Sequence, residues 1–253
     1  MERLKNNIVI MDFSGIYQEE QFWHDSQVCW MKMQDISGTN CYCDEEAVEE
    51  IQKRLENFSH TGIYFIDSGN YHYMSRIGAG RVQKPFRLLV FDNHTDMQRP
   101  AFGGLLSCGG WIANALEELE YLEEVWLAGP DEEAYSQVEE QFKSKVKFIS
   151  REMLHQGNLS EWLEQIPVDL PLYVSIDKDV LCQEDASTTW SQGDMKLAKL
   201  LEALEALMIH FSKNNGRIWQ VDICGECDPD QEAQNQKNDL ANGRMLEFWK
   251  KWM

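Results

Sequence analysis

The sequence has few basic residues and no long hydrophobic run. Lys and Arg number 23 against 43 Asp and Glu, which gives a formal net charge of −20 and a pI of about 4.6. A surface this acidic repels phosphate backbones and anionic lipid headgroups, so neither nucleic acid nor a membrane surface is an expected partner. No apolar run approaches the roughly 20 residues that a membrane-spanning helix requires.

The sequence also lacks a disulfide framework, a repeat and a Pro/Gly-rich linker. Its seven cysteines are an odd number without regular spacing, which is typical of reduced thiols. The apolar stretch from Ile8 to Met11 is too short for a secretory signal. These features predict a cytoplasmic protein in which residues 1–253 form one domain.

Short apolar runs alternate with segments of helical periodicity. A near-continuous apolar run is typical of a strand that is covered on both faces. The predicted strands are Asn7 to Phe13, Gly62 to Ile66, Arg87 to Phe91, Glu124 to Ala128, Val146 to Ile149, Leu172 to Ile176 and Arg217 to Val221. The predicted helices are Glu45 to Phe58, Ser107 to Leu122, Asp131 to Phe142, Met195 to Phe211 with Asp194 as its N-cap, and Leu240 to Trp252. This alternation predicts a three-layer α/β/α fold with a doubly wound, mostly parallel sheet of about eight strands.

Acidic and imidazole side chains follow four of the predicted strands. The motifs are Asp92-Asn93-His94-Thr95-Asp96, Asp177-Lys178-Asp179, Asp222 with Glu226, and a segment that leads from Asp67 to His72. A single Asp after a strand is commonly a turn former or a helix N-cap. The combination is different, because parallel strands deliver all these groups to one edge of the sheet, where ligands bind.

Like charges gathered at one edge require a cation. Carboxylates with a minority of imidazoles suit a hard-to-borderline ion such as Mn²⁺, although Co²⁺ and Zn²⁺ accept the same donors. Six candidate ligands exceed what a mononuclear catalytic site takes and suit two ions that share a bridging water. The six are His72, Asp92, His94, Asp96, Asp177 and Asp179.

These motifs resemble those of the ureohydrolase (arginase and agmatinase) family. The family motifs Asp-Ala-His-x-Asp and Ser-x-Asp-x-Asp correspond to FDNHTDMQ at 91–98 and SIDKDVL at 175–181. Its Gly-Gly-Asp-His and Glu-x-Asn-Pro motifs correspond more loosely to GNYHYMS at 69–75 and to Glu226-Cys227-Asp228-Pro229.

The resemblance implies a hydrolase that holds two manganese ions. One ion would be bound by His72, Asp92, Asp96 and Asp177, and the other by Asp92, His94, Asp177 and Asp179. A metal-bridging hydroxide would attack a non-peptide C–N bond of a guanidino compound or a small amide. Asp179 would pass a proton to the leaving nitrogen and Glu226 would grip the substrate. Relatives are often trimers or hexamers, so a homo-oligomer is expected.

Cys108 aligns with the histidine that shuttles protons in arginases, so it is a candidate catalytic residue. A covalent role for its sulfur is a further possibility, although the metal motifs already supply a nucleophile. Two other functions stay open: a mononuclear zinc deacetylase, which needs neither His72 nor Asp179, and a non-catalytic metal-dependent binding protein on the same scaffold.

Overall fold

The computed structural model describes residues 8–100, 104–229 and 232–252. The strands of these segments are β1 (Ile8–Asp12), β2 (Val28–Lys32), β3 (Tyr42–Cys43), β4 (Ile63–Ser68), β5 (Phe86–Phe91), β6 (Leu106–Ser107), β7 (Leu122–Ala128), β8 (Val146–Ile149), β9 (Leu172–Asp177) and β10 (Ile218–Glu226). The helices are α1 (Glu45–Leu55), α2 (Met74–Ala79), α3 (Trp111–Glu118), α4 (Glu132–Ser136), α5 (Glu140–Lys143), α6 (Arg151–Leu154), α7 (Leu159–Leu163), α8 (Leu197–Lys213) and α9 (Glu232–Trp252).

Eight of the strands form one sheet in the order β2-β1-β4-β10-β9-β5-β7-β8, and every pairing in it is parallel. The remaining strands, β3 and β6, form a short antiparallel pair outside the sheet. The four central strands β4, β10, β9 and β5 therefore end side by side at one edge. The doubly wound, mostly parallel sheet of about eight strands is confirmed.

A hydrophobic layer covers each face of the sheet. One face packs against α7, α8 and α9, where Leu200 and Leu204 of α8 are fully buried. The other face packs against α1, α2 and α3, where Ile51 of α1 is fully buried. Strands that are covered on both sides carry few polar residues, which explains the continuous apolar runs.

The strand predictions locate the central strands correctly, but they end several of these strands too early at the carboxyl edge of the sheet. β4, β9 and β10 continue beyond Ile66, Ile176 and Val221 into the polar residues that follow. Edge strand β2 was not predicted, because its side chains alternate between partly buried and exposed positions. Asn7, the first residue of the first predicted strand, lies outside the described residues.

Two helix predictions cover segments that are helical only in part. The segment from Asp131 to Phe142 holds two short helices rather than one, with Asp131 capping the first through its contact with the Ala134 amide. The segment from Ser107 to Leu122 begins as the end of β6, so helix α3 starts only at Trp111.

The long helix α8 begins and is capped differently from the prediction. It starts at Leu197 rather than at Met195, and Lys196 occupies the N-cap without a capping side chain. The carboxylate of Asp185, which is distant in sequence, accepts the Leu197 amide instead at 2.8 Å. At the other terminus of the chain α9 starts earlier than predicted, at Glu232. None of the described helices combines the length and apolarity that a bilayer crossing needs.

Candidate metal centre

The six predicted metal ligands lie together at the carboxyl edge of the sheet. β5 ends immediately before Asp92, β9 ends at Asp177, and a 3₁₀ turn that follows β4 leads to His72. All six residues line the same pocket of about 180 Å³. The edge is formed by neighbouring parallel strands, so residues that are over 100 positions apart in sequence become neighbours.

His72 is surrounded by three carboxylates. Its Nδ1 lies 3.1 Å from Asp92 Oδ2, 3.1 Å from Asp96 Oδ2 and 3.4 Å from Asp177 Oδ2. Its other ring nitrogen, Nε2, lies 2.9 Å from the Ser175 hydroxyl. This contact fixes the ring so that Nδ1 faces the carboxylates, which is how metal-binding histidines are oriented.

His94 occupies the more open side of the centre. Its Nδ1 lies 2.8 Å from Asp179 Oδ2 and 3.4 Å from Asp92 Oδ1, while its Nε2 contacts the Ser191 hydroxyl at 2.9 Å. The second oxygen of Asp179, Oδ1, accepts the Asn93 amide at 2.9 Å. Each group is thus held in place by a contact on the side away from the centre.

Asp92 links the two sides. Two sets of donor atoms lie close enough to hold an ion each, namely His72, Asp92 and Asp96, and Asp92, His94 and Asp179. Asp92 Oδ2 is buried and, although it lies 3.1 Å from His72 Nδ1, it accepts no well-aligned hydrogen bond, whereas a buried polar atom is almost always satisfied. A divalent cation would satisfy this oxygen, so the residues fit a pair of metal ions.

The pKa shifts of the protein without metal show how crowded these charges are. Burial, followed by the charge of Asp179, raises the pKa of Asp177 to about 7. Burial and the charge of Asp92 raise the pKa of Asp179 to about 6. Burial lowers the pKa of His94, but its contacts with Asp179 and Asp92 outweigh burial and raise it to about 11. Carboxylates that resist ionisation beside histidines that retain protons are the expected state of a cation site without its cation.

The pocket wall beside the donors carries sulfur, amide, aromatic and guanidinium groups. These residues are Cys41, Tyr42, Gln98, Arg99, Ser107, Cys108 and Trp190. The Arg99 guanidinium forms ion pairs with Glu117 and Glu139, whose carboxylate oxygens lie 2.8 Å and 2.7 Å from its nitrogens. Among the described lining residues, the only carboxylates are those of the four donor aspartates. The wall therefore offers no free anion to a cationic substrate.

Cys108 faces this pocket, as its alignment with the arginase histidine implies. Burial, followed by the charge of Asp96, raises the pKa of the Cys108 thiol to about 12. At neutral pH the group is thus a thiol that can donate a hydrogen bond but is a poor nucleophile, which counts against the covalent role.

Glu226 lies elsewhere, which corrects the expectation that it faces the substrate. Its side chain is fully buried and forms an ion pair with Lys178, while Asn242 donates to Glu226 Oε1 at 2.8 Å. The reason is Gly225, which separates Cys224 from Glu226 and has a φ of +94°. This backbone conformation accompanies the turn of Glu226 away from the pocket and towards Asn242 of α9.

Glu226 shares its buried site with a second carboxyl group. Asn242 Nδ2 donates to Glu20 Oε2 at 2.8 Å as well as to Glu226. Burial, followed by the charge of Glu226, raises the pKa of Glu20 to about 10. The Glu20 carboxyl is therefore held in its protonated form at neutral pH, beside the ion pair of Glu226 and Lys178.

Several residues of the centre carried no interpretable sequence signal. Cys41 reaches the pocket because β3 pairs with β6, which brings the Cys41 carbonyl within 2.9 Å of the Cys108 amide. Cys224 ends close to His72 and Asp177. No local pattern reveals either position, because each depends on pairing between distant segments.

A parallel α/β sheet with aspartate and histidine donors at its carboxyl edge defines an arginase-like α/β protein. The chain belongs to the arginase family, whose family model matches residues 6–248. It is 31% identical over 244 residues to an uncharacterized protein of Thermotoga maritima, covering 95% of this chain and 88% of that protein.

Solved structures of family members show the same fold. Proclavaminate amidino hydrolase from Streptomyces clavuligerus superposes with a TM-score of 0.71 at 15% identity, covering 99% of this chain and 92% of that one. Formimidoylglutamase from Bacillus subtilis superposes with a TM-score of 0.70 at 16% identity, covering 98% and 87%. The predicted resemblance to the ureohydrolase family is confirmed.

Proposed function

We propose that this protein is a hydrolase that uses two manganese ions to cleave a non-peptide C–N bond in a guanidino compound or a small amide. The carrying observation is the pair of donor groups that share Asp92 inside one pocket. Family membership supports the reaction class, since the solved relatives include an amidino hydrolase and a formimidoylglutamase. We also propose that residues 1–253 work as one arginase-like domain.

In this proposal one ion would be held by His72, Asp92, Asp96 and Asp177, and the other by Asp92, His94, Asp177 and Asp179. The ions, when bound, supply a nucleophile for hydrolysis near neutral pH and polarise the bond that is cleaved. The ligands are oriented by neighbours, as Ser175 does for His72.

The remaining groups act on the substrate and its protons. Asp179 is the proposed carrier of a proton to the leaving nitrogen, because its Oδ2 faces the centre beside His94. Cys108 is proposed to orient the substrate at the pocket wall by donating a hydrogen bond from its thiol. Trp190, whose ring lies 6.3 Å from the ring of His94, is positioned to exclude water from one side. Without a free carboxylate in the described wall, a neutral amide suits the pocket better than a guanidinium or amidinium cation.

Two alternatives are not favoured. A mononuclear deacetylase would need neither His72 nor Asp179, yet both belong to donor groups. A non-catalytic binding protein would not need the oriented Asp179, which is held by both Asn93 and His94.

The test is a metal analysis combined with a substrate screen. The full-length protein, freed of metal and reloaded with manganese, should bind two ions per chain. It should then release ammonia, urea or an amine from at least one member of a panel of guanidino compounds, amidines and small primary amides.

Asp177→Asn should lose hydrolysis by at least ~100-fold, because it removes one negative charge from a ligand that both ions need. The matched control is Asp194→Asn, since Asp194 is half exposed and lies outside the donor groups. Two bound manganese ions without turnover of any panel member would favour the binding protein, and one bound ion would favour the mononuclear enzyme.

A further inference from the structure

Cys224 brings a sulfur atom to the His72 side of the centre. It lies on β10 directly opposite Asp177 on β9 in the parallel register, and its side chain is 1% exposed. Its Sγ lies 3.1 Å from Asp177 Oδ2. One donor atom each from His72, Asp177 and Cys224 lie within 4.8 Å of one another, a spacing that a single ion can span.

A second observation points to a cation at this position. Asp92 Oδ2 is buried without a hydrogen-bond partner and lies 3.1 Å from His72 Nδ1. His72 Nε2 is already used by Ser175, so Nδ1 is the ring nitrogen available to a metal. Asp92 belongs with His72 and Asp96 to one donor group, and Cys224 belongs with His72 and Asp177 to another, so the two groups meet at His72.

We propose that Cys224 is a metal ligand on the His72 side and that its sulfur makes this position prefer zinc or cobalt to manganese. The inference rests on the proposed dinuclear site and deepens it by assigning a ligand that the two acidic motifs do not contain. A buried cysteine usually acts as a small hydrophobic residue that fills space among hydrocarbon side chains. The sulfur of Cys224 instead contacts a carboxylate oxygen that is itself a ligand.

The change on metal binding is balanced by one proton. Without metal, the Cys224 thiol donates its hydrogen to Asp177 Oδ2. Coordination replaces the S–H bond by a sulfur–metal bond, releases the proton to solvent and leaves Asp177 Oδ2 free to bind the ion. Thiolate is a soft donor that favours Zn²⁺ and Co²⁺, whereas Mn²⁺ prefers oxygen.

Cobalt spectroscopy reports the sulfur ligand without any assay of activity. The full-length protein, freed of metal, is titrated with Co²⁺ while bound cobalt is counted. The wild type should develop a near-ultraviolet sulfur-to-cobalt charge-transfer band as cobalt binds. Cys224→Ser should still bind cobalt but should lose this band, because a serine oxygen does not produce it.

Two variants serve as controls. Cys227→Ser alters an equally buried cysteine that belongs to none of the donor groups, and Cys108→Ser alters a thiol of the pocket wall. Both should keep the band. A band that survives Cys224→Ser, or that disappears in Cys108→Ser, would overturn the inference.

Metal competition measures the preference itself. With zinc and manganese offered together, Cys224→Ser should lower the ratio of bound zinc to bound manganese by at least ~10-fold relative to wild type. An unchanged ratio would show that the sulfur does not set the preference.

If Cys224→Ser does not fold, X-ray absorption of the zinc-loaded wild type gives the answer. It should show a sulfur neighbour at about 2.3 Å from zinc, and a shell of nitrogen and oxygen alone would overturn the inference. Two bound ions without any sulfur signature would contradict only the role of Cys224. Failure to bind any metal would contradict the proposed function as well.

Discussion

Buried carboxyl groups in this protein behave according to their nearest neighbours. Asp177 and Asp179 face other carboxylates, and burial and these charges together raise their pKa values to about 7 and about 6. Glu226 faces Lys178 and is paired. Glu20 lies beside Glu226 without a cation of its own, and its pKa rises to about 10. The carboxyl group is thus a candidate metal ligand, half of an ion pair or a neutral acid within one molecule.

Glu20 should make the protein less stable as the pH rises. Its pKa is about 10 in the folded state against roughly 4.3 in an unfolded chain, so between these values the folded state keeps a proton that the unfolded state has lost. The free energy of unfolding therefore falls as pH increases across this range. Glu20→Gln should flatten the decline by up to about 1.4 kcal/mol per pH unit.

Denaturant unfolding at several pH values between about 5 and 9 measures this effect. Glu19→Gln is the matched control, because Glu19 is exposed one position away and should leave the slope unchanged. Equal slopes for Glu20→Gln and wild type would mean that Glu20 is ionised in the folded protein.

Among the secondary-structure elements, β10 determines which of its side chains reach the candidate metal centre. Its residues Asp222 and Cys224 point to the α1–α3 face, and its last residue, Glu226, points into a different environment. Gly225 makes this possible with a φ of +94°. A Cβ at this position would lie 2.4 Å from Asp177 Oδ1 and 2.8 Å from the Lys178 amide nitrogen.

Gly225→Ala should therefore damage both stability and metal binding. The left-handed conformation alone costs an alanine about 1 kcal/mol, and the clash forces Asp177 or the backbone of the following turn to move. We expect a loss of at least ~2 kcal/mol in unfolding free energy together with weaker manganese binding, measured by denaturation and by metal titration.

Gly157→Ala separates the two contributions. Gly157 also has a positive φ, of +85°, but a Cβ there would meet no atom within 4 Å. The Gly157→Ala variant should therefore show the cost of the left-handed backbone conformation without any effect on metal binding. An undisturbed metal affinity in Gly225→Ala would contradict the contact with Asp177.

At the scale of the whole molecule, the negative net charge affects both the stability of the fold and the proposed binding of metal ions. The formal net charge of −20 disfavours the compact state through self-repulsion and attracts cations. Four aspartates of the centre add like charges at one edge of the sheet, where they are almost completely buried. Neutralisation of these groups should therefore stabilise the entire domain.

Removal of metal should lower the thermal stability of the protein. Manganese at about 100 times its dissociation constant should add about 2.7 kcal/mol per independent site. For a chain of this size each kcal/mol raises the melting temperature by about 2–4 °C. The experiment compares melting with excess chelator and with manganese, and the response of Asp177→Asn should be much smaller. Identical melting of the two wild-type samples would contradict the metal centre.

Sequence patterns determined the parts of this protein that depend on local composition. The strands β5 and β9 are continuous apolar runs because both of their faces are buried, and the motifs from Asp92 to Asp96 and from Asp177 to Asp179 follow them directly. A parallel sheet brings such strand ends to one edge, so the fold and the position of the six candidate ligands at that edge were predictable without coordinates.

Tertiary structure alone decided the remaining features of the centre. Glu226 belongs to a motif that resembles the family's, yet one residue with a positive φ turns it to Lys178. Cys224 belongs to neither acidic motif, yet the register of β10 against β9 places its sulfur beside the candidate ligand Asp177. The physical reason is that the direction of a side chain and the group it meets depend on strand register and on single backbone angles, which chain-local patterns do not encode.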